Sequence, residues 1–440
     1  MLNENEKARI YNSLEHYTGD FPLIQYRNSN GNIRMRPPRT LNILKIVSNY
    51  LATLTFNESS EINVKNTWLI DELEKSKFQH NLAEYLEPMY ALGGIALRPY
   101  VKNGNIKLTW ALATNFIPVT WDSSEITEAD IKFPNSEGYL LESHRWVGDK
   151  YVITNKQYDN KDKEIKLPEG VAPRTEFKNL TRPLFIYLKT ANYNNIDINS
   201  PLGLGVCDNS IDTLTAINDI VDEFNQEIKM GRRKIVVPES MLESYTEYED
   251  QPPKLYLDDD VTIFQRVATQ GIEDFEIKDL TTDIRADSYI KSVNHALQTL
   301  ELEMGVSQGT FNFDESGRIK TATQVVSEDS KTYQLRSKNI LNIEEFIKQT
   351  LRVFVELGQI YGINTGDFDE KEVVIDFQDG AFENTDAIIK RYTDLLKAGV
   401  LDAEEVRELL GYGYRTSQTD TGVVETSNEQ DGVLSTSQTV

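Results

Sequence analysis

The side chains best suited to chemistry are few and far apart. Histidines stand at 16, 80, 144 and 295 with no HxH or HxxxH spacing, and the single cysteine, Cys207, has no second thiol near it. A transition-metal site needs three or four such ligands, and a Cys or Ser nucleophile needs a base within reach, so neither chemistry finds support. No GxxxxGK[ST] run is present to cradle a phosphate, and the glycines at 203 and 205 in PLGLGVCDNS lack the third glycine of a dinucleotide turn. Acids do pair, as in Asp258, Asp259 and Asp260 or in Asp283 and Asp287. A pair of carboxylates is what one class of hydrolase, the glycosidases, works with. In a chain with 70 acidic residues, adjacency by chance accounts for such pairs, and a carboxylate-dependent hydrolase stands only as the alternative reading.

What rises above this background is not catalytic. The segment GVSQGTFNFDESGRIKTATQ, residues 305–324, sets Phe311, Phe313, Arg318 and Lys320 between two long helical patterns. Lys331, Arg336, Lys338 and Lys348 continue the basic character into the second of them, and Arg232, Arg233 and Lys234 close an earlier helix. Each group also has a plain reading. The phenylalanines suit a connection tucked into the core, the lysines a solvated helix face, and the 232–234 cluster the negative end of a helix dipole.

Helices position these groups. Ile290, Val293, Leu297, Leu300 and Met304 recur at spacings of three and four, one stripe of a 3.6-residue period. His295 falls between stripe positions, on the surface. After the loop, the pattern from Lys320 meets no proline or glycine until Gly358, with Ile340, Ile343, Ile347, Leu351, Phe354 and Val355 as its apolar face. At 1.5 Å per residue such a rod is roughly 60 Å long, the length of an element that spans between regions or lies against copies of itself.

Residues 1–39 read as loops and short helix, and an amphipathic helix over 40–54 follows with Thr40 as its cap. A second helix runs from Thr67 to Leu92 and stops at Gly93 and Gly94. Strands over 95–101 and 106–112 flank the Asn103–Gly104 turn, and further β segments cover 117–119, 139–146, 151–158 and 182–189. The first 200 residues are therefore an α+β region with a meandering antiparallel sheet. A helix striped by Ile211, Leu214, Ile217, Val221, Phe224 and Ile228 begins behind Asp208, Asn209 or Ser210 as cap. Short β segments over 234–280, a strand over 373–377 and a helical hairpin over 384–411 complete the order, and the Ser-, Thr- and Gln-rich stretch from 413 reads as a disordered tail.

Composition bounds the function. The 440 residues suffice for two to four domains, and 39% hydrophobic content fills real cores. No run of about 18 apolar residues appears and the first residues are charged, so no membrane span or secretion signal is expected. The single cysteine suits synthesis in a reducing cytoplasm. A formal charge of −24 opposes any tight general grip on nucleic acid.

Taken in this order, the segments resemble the portal proteins of tailed bacteriophages, of the kind found in long-tailed phages of Gram-positive hosts. The residues that carry the resemblance are 93–122, the passage from helix to KIVVP over 208–238, GVSQGTFNFDESG over 305–317 and KTATQVVSEDSKTYQLRSKNI over 320–340. Together they cover most of residues 35–410. The resemblance implies an α+β, portal-like fold. Residues 1–200 would be the wing, 201–230 and 281–304 stem helices, 231–280 a small β clip and 305–320 a tunnel loop. Residues 321–381 would be a long helix with a wing strand, 382–412 a helical crown and 413–440 the tail.

The resemblance further implies a homo-oligomeric ring of about twelve subunits at one capsid vertex, assembled in the host cytoplasm, through which double-stranded DNA passes. Its partners would be the large terminase subunit, a head-completion or connector protein, and the major capsid and scaffolding proteins. It would have no cofactor and no enzymatic activity, the motor energy coming from the terminase. Phe311, Phe313, Arg318, Lys320 and Lys331 would line the channel, and Arg232, Arg233 and Lys234 would serve partner docking at the clip. An acidic channel wall with a few cationic rungs guides a phosphate rod without holding it. Another oligomeric phage head protein is a third reading, after the carboxylate-dependent hydrolase.

Overall fold

The structure, a computed structural model, describes residues 4–27, 32–57, 60–123, 125–231, 235–238, 244–245, 254–255, 264–267, 278–279, 283–311, 330–377, 392–393, 396–397 and 406. The chain divides into two units, Met1–Asp379 and Gly380–Val440. In the second unit only residues 392–393, 396–397 and 406 are described, so most of the expected helical hairpin and the whole tail lie outside the described residues.

A 15-residue helix, α1 (Glu4–Thr18), opens the chain where composition suggests loops and short helix. Its inner face is polar: Arg9 joins Glu6 at 2.6 Å and Asp208, while Ser13 also donates to Asp208. Of the three residues expected as cap of the helix over 211–230, Ser210 takes the N-cap position, without a side-chain cap bond, while the Asp208 carboxylate takes Arg9, Ser13 and the Gly205 N–H at 2.6 Å. A two-stranded hairpin follows, β1 (Ile24–Arg27) with β2 (Ile33–Arg36).

Helix α2 (Ile43–Thr55) starts three residues later than the sequence suggests, behind Asn42 rather than Thr40. The backbone N–H groups of Arg39 and Leu41 are already taken by Asp222 and Asn218, which hold the preceding residues extended against another helix. After β3 (Glu61–Asn63), the expected single helix over 67–92 is two, α3 (Thr67–Lys75) and α4 (Phe78–Leu92). The break is at Lys77, which has left-handed backbone with φ 53°. The apolar spacing runs on across it, so the pattern alone could not reveal the turn. Gly93, also left-handed, ends α4 as expected.

Strands β4 (Gly94–Lys102) and β5 (Asn105–Leu112) meet at Asn103 and Gly104, both with positive φ, the geometry of a primed two-residue turn. Next come β6 (Phe116–Asp122), β7 (Glu125–Asn135), β8 (Gly138–Val147), β9 (Lys150–Asp159), β10 (Glu164–Ile165), β11 (Arg174–Lys178) and β12 (Ile186–Lys189). Strands β6 to β9 form the expected antiparallel meander, extended by β10 and β11, both on β9. A separate three-stranded sheet has the order β12-β4-β5. Only Ile186–Lys189 of the expected 182–189 strand pairs.

Helix α5 (Ile211–Met230) leads into short strands β13 (Ile235–Pro238), β14 (Ser244–Tyr245), β15 (Lys254–Leu255), β16 (Phe264–Val267) and β17 (Lys278–Asp279). Strand β13 runs parallel to β16 and antiparallel to β17, which agrees with a β module there. Helix α6 (Ala286–Met304) and the 31-residue α7 (Ser330–Ile360) follow, and β18 (Val374–Asp376) returns to pair with β3. Within the described residues α7 is about 47 Å long. It runs two residues past Gly358, and its expected first part over 320–329 lies outside the described residues.

The core lies where α2, α4 and α7 meet the β12-β4-β5 sheet. Leu82, Leu86, Met89, Ile343, Ile347, Leu351 and Phe354 are fully buried there. Phe78, Trp110 and Phe346 form a triangle of rings there, with centroids 6.1 to 6.4 Å apart. A seam of bare backbone borders this core. A Cβ on Gly93 would stand 2.4 Å from the Gly203 carbonyl, one on Gly203 2.3 Å from that of Gly93, and one on Gly205 2.4 Å from that of Ala91. The glycines at 203 and 205 therefore serve close approach of two chain segments.

Candidate functional site

Of the residues singled out in the sequence, Phe313, Arg318 and Lys320 in the loop and Arg232, Arg233 and Lys234 after α5 lie outside the described residues. Phe311 and Lys331 are described, and the structure brings them to one place, the root from which the 312–329 segment leaves. Sequence reasoning missed what builds that root.

Helix α6 ends at Gly305 in left-handed conformation, with the Val306 N–H reaching back 2.9 Å to the Glu301 carbonyl. The Glu301 side chain, fully buried, then accepts the Gly309 N–H on one oxygen and the Phe311 N–H on the other, both at 2.7 Å. A carboxylate that takes two backbone donors fixes the path of the chain between them. Glu301 stands next to Leu300 of the stripe, and an acid on the buried face between Leu297 and Met304 was the available signal.

The other side of the root is closed by Ser307 and Thr332. The Ser307 N–H donates to the Thr332 hydroxyl at 2.9 Å, and the two hydroxyls are 3.0 Å apart. Phe311 meets the Tyr50 ring edge-to-face at 5.5 Å, which ties the root to α2. Lys331, the residue before Thr332, is exposed.

Further along α7 the basic residues divide. Arg336 is buried, not part of a solvated face: its guanidinium donates to the carbonyls of Leu54 at 2.7 Å and Phe377 at 2.9 Å. Lys338 is exposed, and Lys348 pairs with Glu344 at 2.6 Å.

Helices α5 and α6 pack as a pair, with Phe224 against Tyr289 at 5.0 Å. Arg285 forks onto Glu227, and hydrogen bonds from its side chain and backbone hold that carboxyl down at about 2. An apolar cleft of about 150 Å³ opens between Leu41, Val221, Phe224, Tyr289, Ile290 and Val293. Ile290 is exposed, against the expectation that it shares the buried stripe, and so are Ile228, Met230 and Ile284. His295 is exposed as expected. Cys207 is buried with its sulfur 3.4 Å from that of Met304, and burial pushes the thiol up, away from nucleophilic use.

One cluster of titratable groups was not legible as a group. Glu142 on β8 takes a fork from Arg98 at 2.6 and 2.7 Å and the His144 Nε2 at 2.8 Å, while His144 Nδ1 faces the Tyr151 hydroxyl at 2.8 Å. That hydroxyl also accepts the Leu184 N–H. Burial would raise the Glu142 carboxyl, but the His144 hydrogen bond and the Arg98 charge outweigh it and hold it at about 2. The chain of bonds ends on backbone, so it serves to join β4, β8, β9 and the approach to β12. Among the described residues no group of three or more His, Cys, Asp or Glu side chains is placed to hold a metal ion. Nor is any described helix long and apolar enough to cross a membrane.

These features define an α+β protein whose polar clusters fix backbone. A family model described as phage portal protein, SPP1 Gp6-like, matches residues 3–411, and the chain belongs to that family. It is thus a phage portal protein, a component of the virion capsid with a part in genome packaging. The family is structural rather than enzymatic. No curated protein sequence matches the chain.

Proposed function

We propose that about twelve copies of the chain close into a ring at one capsid vertex, with a central channel for double-stranded DNA. The match to the portal family over residues 3–411 is the observation that carries this reading. Genome packaging, head–tail joining and DNA ejection all pass through that channel. Residues 1–200 with 321–381 form the wing, α5 and α6 the stem, 231–280 the clip and 382–412 the crown. The clip receives the large terminase subunit and later a head-completion protein, with Arg232, Arg233 and Lys234 at its edge. Capsid and scaffolding proteins meet the outside of the ring. The segment 305–320 is the tunnel loop, and Phe311, Phe313, Arg318, Lys320 and Lys331 are its contacts with DNA. The closed root at Glu301, Ser307 and Thr332 supports this reading because it gives such a loop a fixed base.

Particle mass by light scattering, with negative-stain images of the same fraction, tests the ring. A particle of about a dozen subunits with a central hole is expected, and a chain that stays monomeric at high concentration overturns it. Replacing Arg318 and Lys320 together with Glu tests the loop: packaging should fall while rings still form. Unchanged packaging removes those two residues from the mechanism.

A further inference from the structure

The β1–β2 hairpin is unlike the rest of the described chain. Among the described residues its two strands pair only with each other. Every residue of both strands is exposed except Arg36, which is partly covered. Ile33 and Met35 are 55% and 65% exposed, and Leu23, Ile24 and Tyr26 are exposed as well. In the register, Ile24 and Tyr26 share one face with Arg36 and Arg34, while Ile33 and Met35 share the other with Arg27 and Gln25. Apolar groups thus stand in water on both faces. A two-stranded ribbon with two free edges is marginal by itself, and such a surface is normally covered in the working state.

Charge and attachment say what covers it. Residues 21–39 hold four arginines, at 27, 34, 36 and 39, and no acid, in a chain of net charge −24. Arg36 forks onto Asp222 of α5 at 2.7 and 2.5 Å, and the Arg39 N–H donates to the same carboxylate at 2.9 Å, so the hairpin is rooted on that helix. The exposed face of α5 carries Asp212, Asp219 and Glu223, at spacings of seven and four that align them on one side. In a cyclic ring every copy sits at the same height, so a hairpin rooted on one α5 stands level with the α5 of the next copy.

We propose that the β1–β2 hairpin docks tip first on the neighbouring copy of this chain, burying its apolar residues there, with Arg27 and Arg34, on opposite faces at the tip end of the two strands, straddling the acidic side of that copy's α5. The proposal rests on the ring reading above and names one of its contacts. Strand edges and apolar side chains supply the affinity, and the arginines select the acidic side.

The test is the particle mass of the full-length chain over a concentration series, for the wild type, for Ile33→Asp with Met35→Asp, and for Arg27→Glu with Arg34→Glu. Both variants alter exposed side chains only, and circular dichroism of the unassembled subunit should match the wild type. Ring formation in each variant should need at least about tenfold more protein than in the wild type. Adding Asp219→Lys and Glu223→Lys to the Arg27→Glu, Arg34→Glu variant should restore assembly. Variants that assemble at wild-type concentrations overturn the proposal, and if they also retain less DNA at low salt, the hairpin is a nucleic-acid contact instead. A wild type that forms no ring at any concentration is a different result, which removes the ring reading itself.

Discussion

The same bond, an arginine forked onto a glutamate, occurs in two regions with opposite surroundings. Arg98 and Glu142 meet inside the β-sheet region, where the carboxylate is almost wholly covered and also bound by His144. Arg285 and Glu227 meet at the open end of the α5–α6 pair, where the guanidinium is mostly in water. Both carboxyls are held at about 2, yet the shifts mean different things. The buried one measures a network that its own subunit completes. The other, itself largely covered, pairs with a guanidinium in water, on a helix pair that carries Ile228, Met230 and Ile290, with Ile284 just before α6, apolar groups exposed in the subunit. The sheet region is finished within one chain, whereas the helix pair has the composition of half an interface.

Mutation should expose the contrast most strongly at Glu142. Glu142→Ala leaves Arg98 and His144 without their shared acceptor and should cost about 3–5 kcal/mol in denaturant unfolding of the subunit. A loss no larger than that of an ordinary surface substitution breaks the comparison. Glu301 gives a third case, a buried carboxylate bound by backbone alone among the described residues. Glu301→Ala should cost about 1–3 kcal/mol in all, because water can reach the partly exposed Gly309 and Phe311 N–H groups it frees. Hydrogen exchange at Gly309 and Phe311 should speed up in the same variant, and protection kept at both amides refutes this account of the root.

Acid titration sharpens the comparison with a smaller effect. Glu142 is depressed in the folded state from 4.5 to about 2, so its contribution is fully present above pH 4.5 and lost as pH falls through about 2. High salt should leave that behaviour nearly unchanged, because the pair is out of reach of counterions. Glu227, whose partner stands in water, should show a small upward move in high salt when followed by NMR, its hydrogen bonds keeping most of the depression. The least effect belongs to Arg285→Ala, for which no resolvable change in the unfolding midpoint of the isolated subunit is expected.

Periodicity found the helices because their buried stripes are long. Leu297, Leu300 and Met304 on α6 and Ile343, Ile347 and Leu351 on α7 needed nothing but spacing. The Asn103–Gly104 hairpin was equally plain, since both residues tolerate positive φ. Lys77 was hidden for the opposite reason: any residue at that position would have continued the pattern, and only tertiary packing turns the chain there. The polar clusters were out of reach as groups. Arg9 meets Asp208 across 199 residues and Arg98 meets Glu142 across 44, and no local pattern joins them. Of the candidate site, Phe311 and Lys331 were visible as chemistry, but Glu301 was not singled out, because nothing local sets it apart from the other acids of its helix.

The glycine seam has a genetic consequence. At Gly93, Gly203 and Gly205 two strands of backbone touch, and even a methyl group would meet a carbonyl at about 2.4 Å or less. Alanine is the mildest change open to each position, and here it forces the end of α4 away from the root of α5. Such substitutions remove no charged or apolar side chain and lower the heat at which the two segments part, the one at Gly205 also pressing on the Asp208 carboxylate 2.7 Å away. A screen for phage that grow in the cold and fail when warmed should therefore recover alleles at these three codons.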